Sequence, residues 1–417
     1  MFDLDRFHEI WVTITRNKVR SFLTGFGVFW GIFMLMIMLG AGTGLQHGML
    51  DRLDGFATNS CFMGTSTTSQ AYQGFQKGRN WDMHDKDVDI LRHSVKELDC
   101  LSPLLFGGRS ANNIVYNDNF GTFQIKGVFA NYTLIERQNI EHGRFINEMD
   151  NLEERKICAI GNKVYEELFP TGENPIGRYV RIWGIYFQVV GVVYGVSDIS
   201  LNGRSAESVF LPFKTLQKVI NQGDIIHMLA ATAKPNVPVS VMEAKMKEIL
   251  KQNNHIAPAD EQAIWSANLE DQFNMFKYLF WGIAIVIWVV GSGTLIAGIV
   301  GVSNIMVVTV KERTKEIGIR RALGAKPRTI IGQIMWESFV LTAIAGILGL
   351  CLGVLCLYLA DTYWLQNAEN IFISNPIVSF STAVQSTSIL LFFGLIAGSI
   401  PAARAMQIKA IDAIQEE

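Results

Sequence analysis

Four apolar runs, uncharged but for Glu337 in the third, punctuate the chain, and a long stretch of mixed polar and apolar residues separates the first from the second. Phe22–Leu45, about 24 residues, is long enough to cross a bilayer as a helix. Leu279–Val310 is about 32 residues, near 48 Å at the helical rise, against a hydrocarbon core of about 30 Å. It therefore predicts a span that continues beyond the membrane as a stalk. The third run extends from about Ile330 to Ala360 and the fourth from about Ser386 to Ala403. Residues 46–277 hold no run of span length. Within them Val88, Leu91 and Val95 repeat at helical spacing behind Asp82, a candidate cap. Gly121–Val128 and Tyr179–Val193 alternate and predict strands, the first after an Asn117-Asp118-Asn119 turn. Val239–Gln252 predicts a helix, with Val241, Lys245 and Glu248 among the positions that set its faces. At the N-terminus, Leu4, Phe7, Trp11 and Ile14 recur opposite Asp5, Glu9, Thr13 and Arg16. They predict an amphipathic helix over 1–21, lying on the inner membrane face or packed on the protein itself.

Charge orients these elements. Arg16, Lys18 and Arg20 precede the first run, and Arg404 and Lys409 follow the fourth. The densest basic stretch, Lys311–Arg328, lies between the second and third, while residues 361–385 contain no Lys or Arg. Basic residues flanking spans stay in the cytoplasm. The pattern thus predicts four transmembrane helices, both termini cytoplasmic, and 46–277 and 361–385 outside. The first run is too long for a signal-peptide core and reads as an uncleaved span. Mean hydropathy of +0.23 and a charged fraction of 18% fit a membrane protein with a substantial water-soluble part. The basic residues are local and form no nucleic-acid-binding face. Five cysteines make no disulfide framework. Cys351 and Cys356 read as packing residues inside a span.

The stretch between the second and third runs has a design of its own. Ile319, Ala322 and Leu323 fall at i, i+3 and i+4, one apolar face on a short helix. Gly324 is placed to end it in a left-handed cap, and Pro327 to open the next helix. Small residues recur every fourth position in the spans: Gly27 and Gly31, Gly40 and Gly44, then Gly293, Ala297 and Gly301, Ala345, Gly349 and Gly353, and Gly394 and Gly398. Such spacing lets helices approach closely, within a chain or between two. Glu337 is the one acid well inside an apolar run. It reads either as a structural partner near the inner surface or as a functional intramembrane carboxylate. Elsewhere chemistry is thin. Gly172–Tyr179 loosely resembles a phosphate loop but lacks the Lys-Ser/Thr that reaches phosphate and magnesium. No histidine pair has metal-ligand spacing, no serine sits in a GxSxG elbow, and Asp85, Asp87 and Asp89 read as a solvated helix face. These residues predict a non-catalytic chain without a metal.

Arg313-Thr314-Lys315-Glu316-Ile317-Gly318-Ile319-Arg320-Arg321-Ala322-Leu323-Gly324-Ala325 resembles the signature between the second and third spans of FtsX-like ABC transporter permeases. Gly143-Arg144-Phe145, Ala159-Ile160-Gly161, Glu167-Leu168-Phe169-Pro170, Asn174-Pro175-Ile176-Gly177, Phe187–Val192 and Val209–Phe213 resemble, in order, the MacB-type periplasmic domain. The resemblance covers nearly the whole chain. It implies an α-helical membrane protein with four transmembrane helices and a large mixed α/β periplasmic domain of two subdomains. The corresponding divisions are the amphipathic helix 1–21, spans at 22–45, 278–310 (with its stalk), 329–360 and 386–403, the coupling helix 311–328, the loop 361–385 and the tail 404–417. The periplasmic domain 46–277 divides into 46–129 with 211–277 and an insert at 130–210.

The family's mechanism implies a second permease chain, identical or different, and an ABC ATPase docked below. The ATPase-coupling residues would be Arg313, Glu316, Ile317, Gly318, Ile319, Arg320, Ala322, Leu323, Gly324 and Ala325. MacB carries its ATPase ahead of the first span in one chain, whereas about 21 residues stand there here. The ATPase, with its ATP and magnesium, is therefore expected as a separate protein. Location in the inner membrane of a Gram-negative bacterium follows from the same resemblance. The expected function is transmission of ATPase closure to the periplasmic domain, driving export or extraction of a periplasmic or outer-leaflet substrate toward an adaptor and outer-membrane duct. The alternative is an FtsX-like regulator that activates a periplasmic enzyme. A sensor without an ATPase would leave the basic helix unexplained.

Overall fold

The computed structural model describes residues 18–53, 55–108, 113–195, 203–365, 376 and 378–406. The helix expected over 1–21 lies outside them up to residue 17, as do residues 366–375 and 377 of the loop 361–385 and the tail beyond Met406. The chain forms two compact units, Leu50–Lys277, and Met1–Met49 with Tyr278–Glu417.

The first unit is a mixed α/β domain. Its strands are β1 Ser60–Thr65, β2 Met83–His84, β3 Leu98–Phe106, β4 Asn113–Tyr116, β5 Asn119–Thr122, β6 Gln124–Val128, β7 Gln138–Gly143, β8 Ile157–Gly161, β9 Tyr179–Ile182, β10 Ile185–Gly195, β11 Ser208–Pro212, β12 Ile225–Ile226, β13 Met228–Ala233 and β14 Ile264–Asn268. Twelve form one sheet, ordered β14-β1-β13-β3-β6-β11-β8-β10-β9-β4-β5, with β7 on β10. The remaining two, β2 and β12, pair with each other. Three stretches differ from the sequence reading. Tyr179–Val193 is a hairpin, because Trp183 (φ 49°) and Gly184 (φ 84°) make the tight turn whose twist matches antiparallel strands. Gly121–Val128 divides at buried Phe123, so that β5 pairs with β4 while β6 joins β3 and β11. The helix expected behind Asp82 begins instead at Asp85. There the Asp87 carboxylate accepts from the His84 backbone N–H (2.9 Å), the acid half of a capping box.

The helix predicted from Val239 runs Val239–Asn253. Val239, Met242, Met246 and Leu250 form its buried stripe, leaving Val241 exposed. The Glu270 carboxylate receives the Val239 N–H at 2.6 Å.

The sheet continues through both predicted segments by way of β3. Leu98–Leu104 pairs with β13, then Leu105 and Phe106 pair with β6. His227 occupies this change of partner. Its backbone N–H donates to the Leu104 carbonyl (3.1 Å), and its Nδ1 accepts from the Phe106 N–H (3.1 Å). An imidazole nitrogen here replaces the ladder carbonyl that the diverging strand no longer supplies.

The second unit is helical. Taking helices in chain order, α1 is Lys18–Leu53; α2 to α6 belong to the domain at Asp85–Ser94, Glu148–Leu152, Asn162–Leu168, Phe213–Val219 and Val239–Asn253; α7 is Leu269–Glu312, α8 Thr314–Ala322, α9 Pro327–Ala360 and α10 Phe380–Met406. Among the described residues three segments are long and apolar enough to cross a membrane: Gly25–Leu50, Leu269–Glu312 and Pro327–Tyr363. A shorter apolar stretch, Phe380–Ile396, lies in α10. The long second helix starts at Leu269, ten residues before the apolar run, since Leu269 and Phe273 are held by the domain's own apolar cluster.

Close backbone approach holds α1 against its neighbours. A Cβ on Gly298 of α7 would lie 2.8 Å from the Gly27 carbonyl oxygen, and one on Gly349 of α9 would lie 2.6 Å from that of Phe29. A Cβ on Gly353 would meet the Met36 side chain at 2.8 Å. In lipid such contacts carry association, because burying apolar surface away from lipid gains little.

Two outcomes are expected. Gly349→Val should destabilise the detergent-solubilised chain by about 1–3 kcal/mol, the usual cost of overpacking, seen as a lower thermal midpoint. Gly332→Ala, at an exposed position where no atom lies within 4 Å of an added Cβ, should leave it unchanged. Burial lowers the pKa of His227 from 6.5, with Asp82 opposing more weakly. The folded domain then binds fewer protons than the unfolded chain. Its stabilisation is complete above the unfolded value and is lost as pH falls through the folded one. His227→Asn retains an acceptor without the titration. At about pH 5 the Phe106 amide of the native chain should therefore exchange faster than that of the variant. Equal rates would refute the assignment.

Candidate functional site

The stretch between α7 and α9 folds into a short helix with defined breaks on either side. The Thr314 hydroxyl donates to the Lys311 carbonyl at 2.6 Å, with the Val310 carbonyl at 3.4 Å. Such back-bonding competes with the helical ladder and bends it, and α7 ends at Glu312 while α8 begins at Thr314. At the other end Gly324 has φ +93°. The Gly324 N–H donates to the Arg321 carbonyl and the Ala325 N–H to that of Arg320, both at 3.0 Å. This pair of bonds is the Schellman closure, which requires the left-handed residue. Pro327 then opens α9 at its first position.

Helix α8 has two contrasting faces. Ile317 and Gly318 are buried, and Ile317 packs in one apolar cluster with Met306, Val310, Ile330 and Ile334. Glu316 and Ala322 are exposed, as are Ile319 (53%) and Leu323 (83%). The predicted apolar face, Ile319, Ala322 and Leu323, is therefore presented outward, while the helix is anchored by Ile317. Arg320 binds Glu316 one turn back (3.0 Å) and reaches Gln333 of α9 (3.0 Å). Arg313 contacts Glu337 at 3.5 Å, and Glu337 is buried. Glu337 is thereby part of the junction of α7, α8 and α9. Gln333 carried no signal in the sequence, since a glutamine near a helix start is ordinary.

The small-residue positions separate into two groups. In α9, Ala345, Gly349 and Gly353 are buried, and the two glycines face α1; in α10, Gly394 and Gly398 face Thr342 and Ser338 of α9. Gly293 and Ala297 are exposed and Gly301 is half-buried, with no atom of the described residues within 4 Å of a Cβ on either glycine. The face of α7 that meets α1 instead carries Gly291, Thr294, Leu295 and Gly298. Both sets have helical spacing, and periodicity alone does not tell which faces a neighbour.

Reactive chemistry is sparse among the described residues. No group of three or more His, Cys, Asp or Glu is disposed to hold a metal. All five cysteines are unpaired; Cys351 and Cys356, expected as packing residues, are exposed on α9. Burial pushes the Cys61 and Cys158 thiols far up, which suppresses the nucleophilic thiolate.

A double-mutant cycle with Arg313→Ala and Glu337→Ala should give a coupling of about 0.5–3 kcal/mol in the thermal stability of the solubilised chain. Additive losses would show that the contact contributes nothing.

The MacB-like periplasmic core domain model matches residues 21–249, and the FtsX-like permease C-terminal model matches residues 275–410. The macrolide export ATP-binding/permease protein MacB of Bdellovibrio bacteriovorus is 25% identical over 423 residues, covering 99% of this chain and 62% of the relative. MacB of Mannheimia succiniciproducens is 27% identical over 416 residues, covering 97% and 60%. The pyoverdine export ATP-binding/permease protein PvdT of Pseudomonas putida is 26% identical over 420 residues, covering 99% and 60%. The chain thus spans about three fifths of the length of these relatives.

Proposed function

The chain belongs to the family of ABC transporter permeases with a MacB-like periplasmic core domain and an FtsX-like C-terminal region, and from that premise we propose that it couples an ABC ATPase to movement of its periplasmic domain. The observation that carries this reading is the outward apolar face of α8, Ile319, Ala322 and Leu323, on a helix closed by a Schellman turn and anchored by Ile317. An exposed leucine among Arg and Lys residues is costly to leave in water and is suited to a groove on a partner. ATP and magnesium would belong to that ATPase. The short breaks at Thr314 and Gly324 let α8 move as a unit against α7 and α9. α7 is unbroken from Leu269 to Glu312, so displacement at its cytoplasmic end would be carried along its length.

In this reading four spans cross the inner membrane, both termini are cytoplasmic, and the domain acts on a periplasmic or outer-leaflet substrate without passing it through the bundle. The relatives named as macrolide and pyoverdine exporters support export as the class of work; neither substrate is assigned to this chain. A second permease copy would use the open Gly293–Ala297–Gly301 face. A periplasmic adaptor and outer-membrane duct would complete the path.

The double variant Glu316→Lys with Leu323→Asp tests the coupling role. Both side chains are exposed, so folding and thermal midpoint should persist, while co-purification of the ABC ATPase should fall at least about tenfold, the effect of losing one well-packed anchor. Undiminished association and ATPase stimulation would overturn the proposal.

A further inference from the structure

The sheet end formed by β10, β9, β4 and β5 has one face in the core and one in solvent. Ile114, Tyr116, Val180, Ile182, Phe187 and Val189 fill the inner face. Alternation predicts polar residues on the outer face, and the chain departs from that. Residues directly opposite across antiparallel pairs project to the same side, and the register aligns Tyr186 with Arg181, Arg181 with Val115, and Val115 with Phe120. One row of side chains therefore crosses four strands, roughly 14 Å at the interstrand spacing. Phe120 is 73% exposed and Tyr186 60%, and Tyr179, on the same face opposite Gln188, is 56% exposed. The Arg181 side chain is exposed and has no hydrogen-bond or ion-pair partner among the described residues, and no Asp or Glu lies on the outer face of these strands.

We infer that this outer face, centred on Arg181 between Tyr186 and Phe120, is a docking surface for a protein that presents a carboxylate within an apolar patch. The surface is a sheet face and not a cavity, which suits a protein, since small ligands need concave sites. Tyr, Phe and Arg are the residues that interface centres favour. The lone cation of these strands sets the complementary charge: a carboxylate would find a planar donor fork within the row, flanked by the Tyr186 ring on one side and by Val115, then Phe120, on the other. Exposed cores of this composition are atypical of a merely solvated strand face. The inference stands apart from the coupling role of α8, which lies in the other unit.

The test uses the full-length chain in cells. p-Benzoylphenylalanine replacing Tyr186 should, on irradiation, form a discrete adduct with another protein, identified by mass spectrometry; the same label replacing Leu134, exposed elsewhere on the domain, should not. The purified partner should bind the unmodified chain at least tenfold more tightly than the Arg181→Glu or Phe120→Ser variant. Reversing one of its surface carboxylates to lysine should restore binding to Arg181→Glu. Association with the ABC ATPase should be intact in both variants, which separates this surface from α8. Adducts only to lipid, adducts only to a second copy of this chain, no adduct at Tyr186, or binding indifferent to Arg181 would each overturn the proposal.

Discussion

The helical unit depends on backbones touching. In a bilayer an apolar side chain gains little by leaving lipid for protein, so dense contact must come from surfaces shaped to interlock. Gly27 against Gly298, Gly349 against Phe29 and Gly353 against Met36 provide that shape around α1. A methyl group on Gly298 or Gly349 would strike a carbonyl oxygen and one on Gly353 the Met36 side chain, while one on Gly27 would crowd the Gly298 Cα at 3.3 Å. The consequence extends to the junction of α7, α8 and α9. Once α7 and α9 are both fixed on α1, the chain between them has a short gap to close. It does so with a nine-residue helix, a left-handed glycine and a proline at the start of α9.

That closure was the most legible part of the chain. Gly324 and Pro327 announce a helix end and a helix start through backbone chemistry alone, and both do so in the structure. Local rules suffice there because the constraints are local. The faces of α7 show the opposite case. Gly293-Ala297-Gly301 and Thr294-Gly298 have equal claims by spacing, and only the partner helix decides between them. The same limit explains Tyr179–Val193. Its alternation reads as one strand because Trp183 is an unusual residue for φ near 49°, whereas an Asn-Gly pair would have declared the turn. Arg313 with Glu337 and Arg320 with Gln333 are tertiary pairings, and nothing in the linear order joins residues 24 or 13 positions apart.

Within the external domain the sheet is continuous but its hydrogen bonding is not uniform. β3 exchanges one partner for another between Leu104 and Leu105, and at such a point the ladder would leave a buried N–H without an acceptor. The His227 ring supplies the acceptor. It does so only while neutral, and burial favours that form. A backbone carbonyl would serve at any pH, so the imidazole makes this junction more conditional than the strands it joins.

Exposure has a different meaning in the two units. On the spans, apolar side chains facing outward are what lipid requires, and Trp281 or Ile296 needs no further account. On α8 the same exposure stands among Lys315, Glu316, Lys326 and Arg328, residues that seek water. Ile317 shows that the helix has a way to bury an apolar side chain; Ile319 and Leu323 point away from it because a helix anchored through one face must turn its other face outward. Fixing Ile317 against α7 and α9 and displaying Leu323 are thus one geometric choice. A groove that takes Leu323 would pull directly on the helix that Ile317 and Arg320 join to the spans. In the proposed coupling, the force-bearing elements of α8 would therefore be its apolar anchor and its capped end, while its positive charge would orient the chain in the membrane.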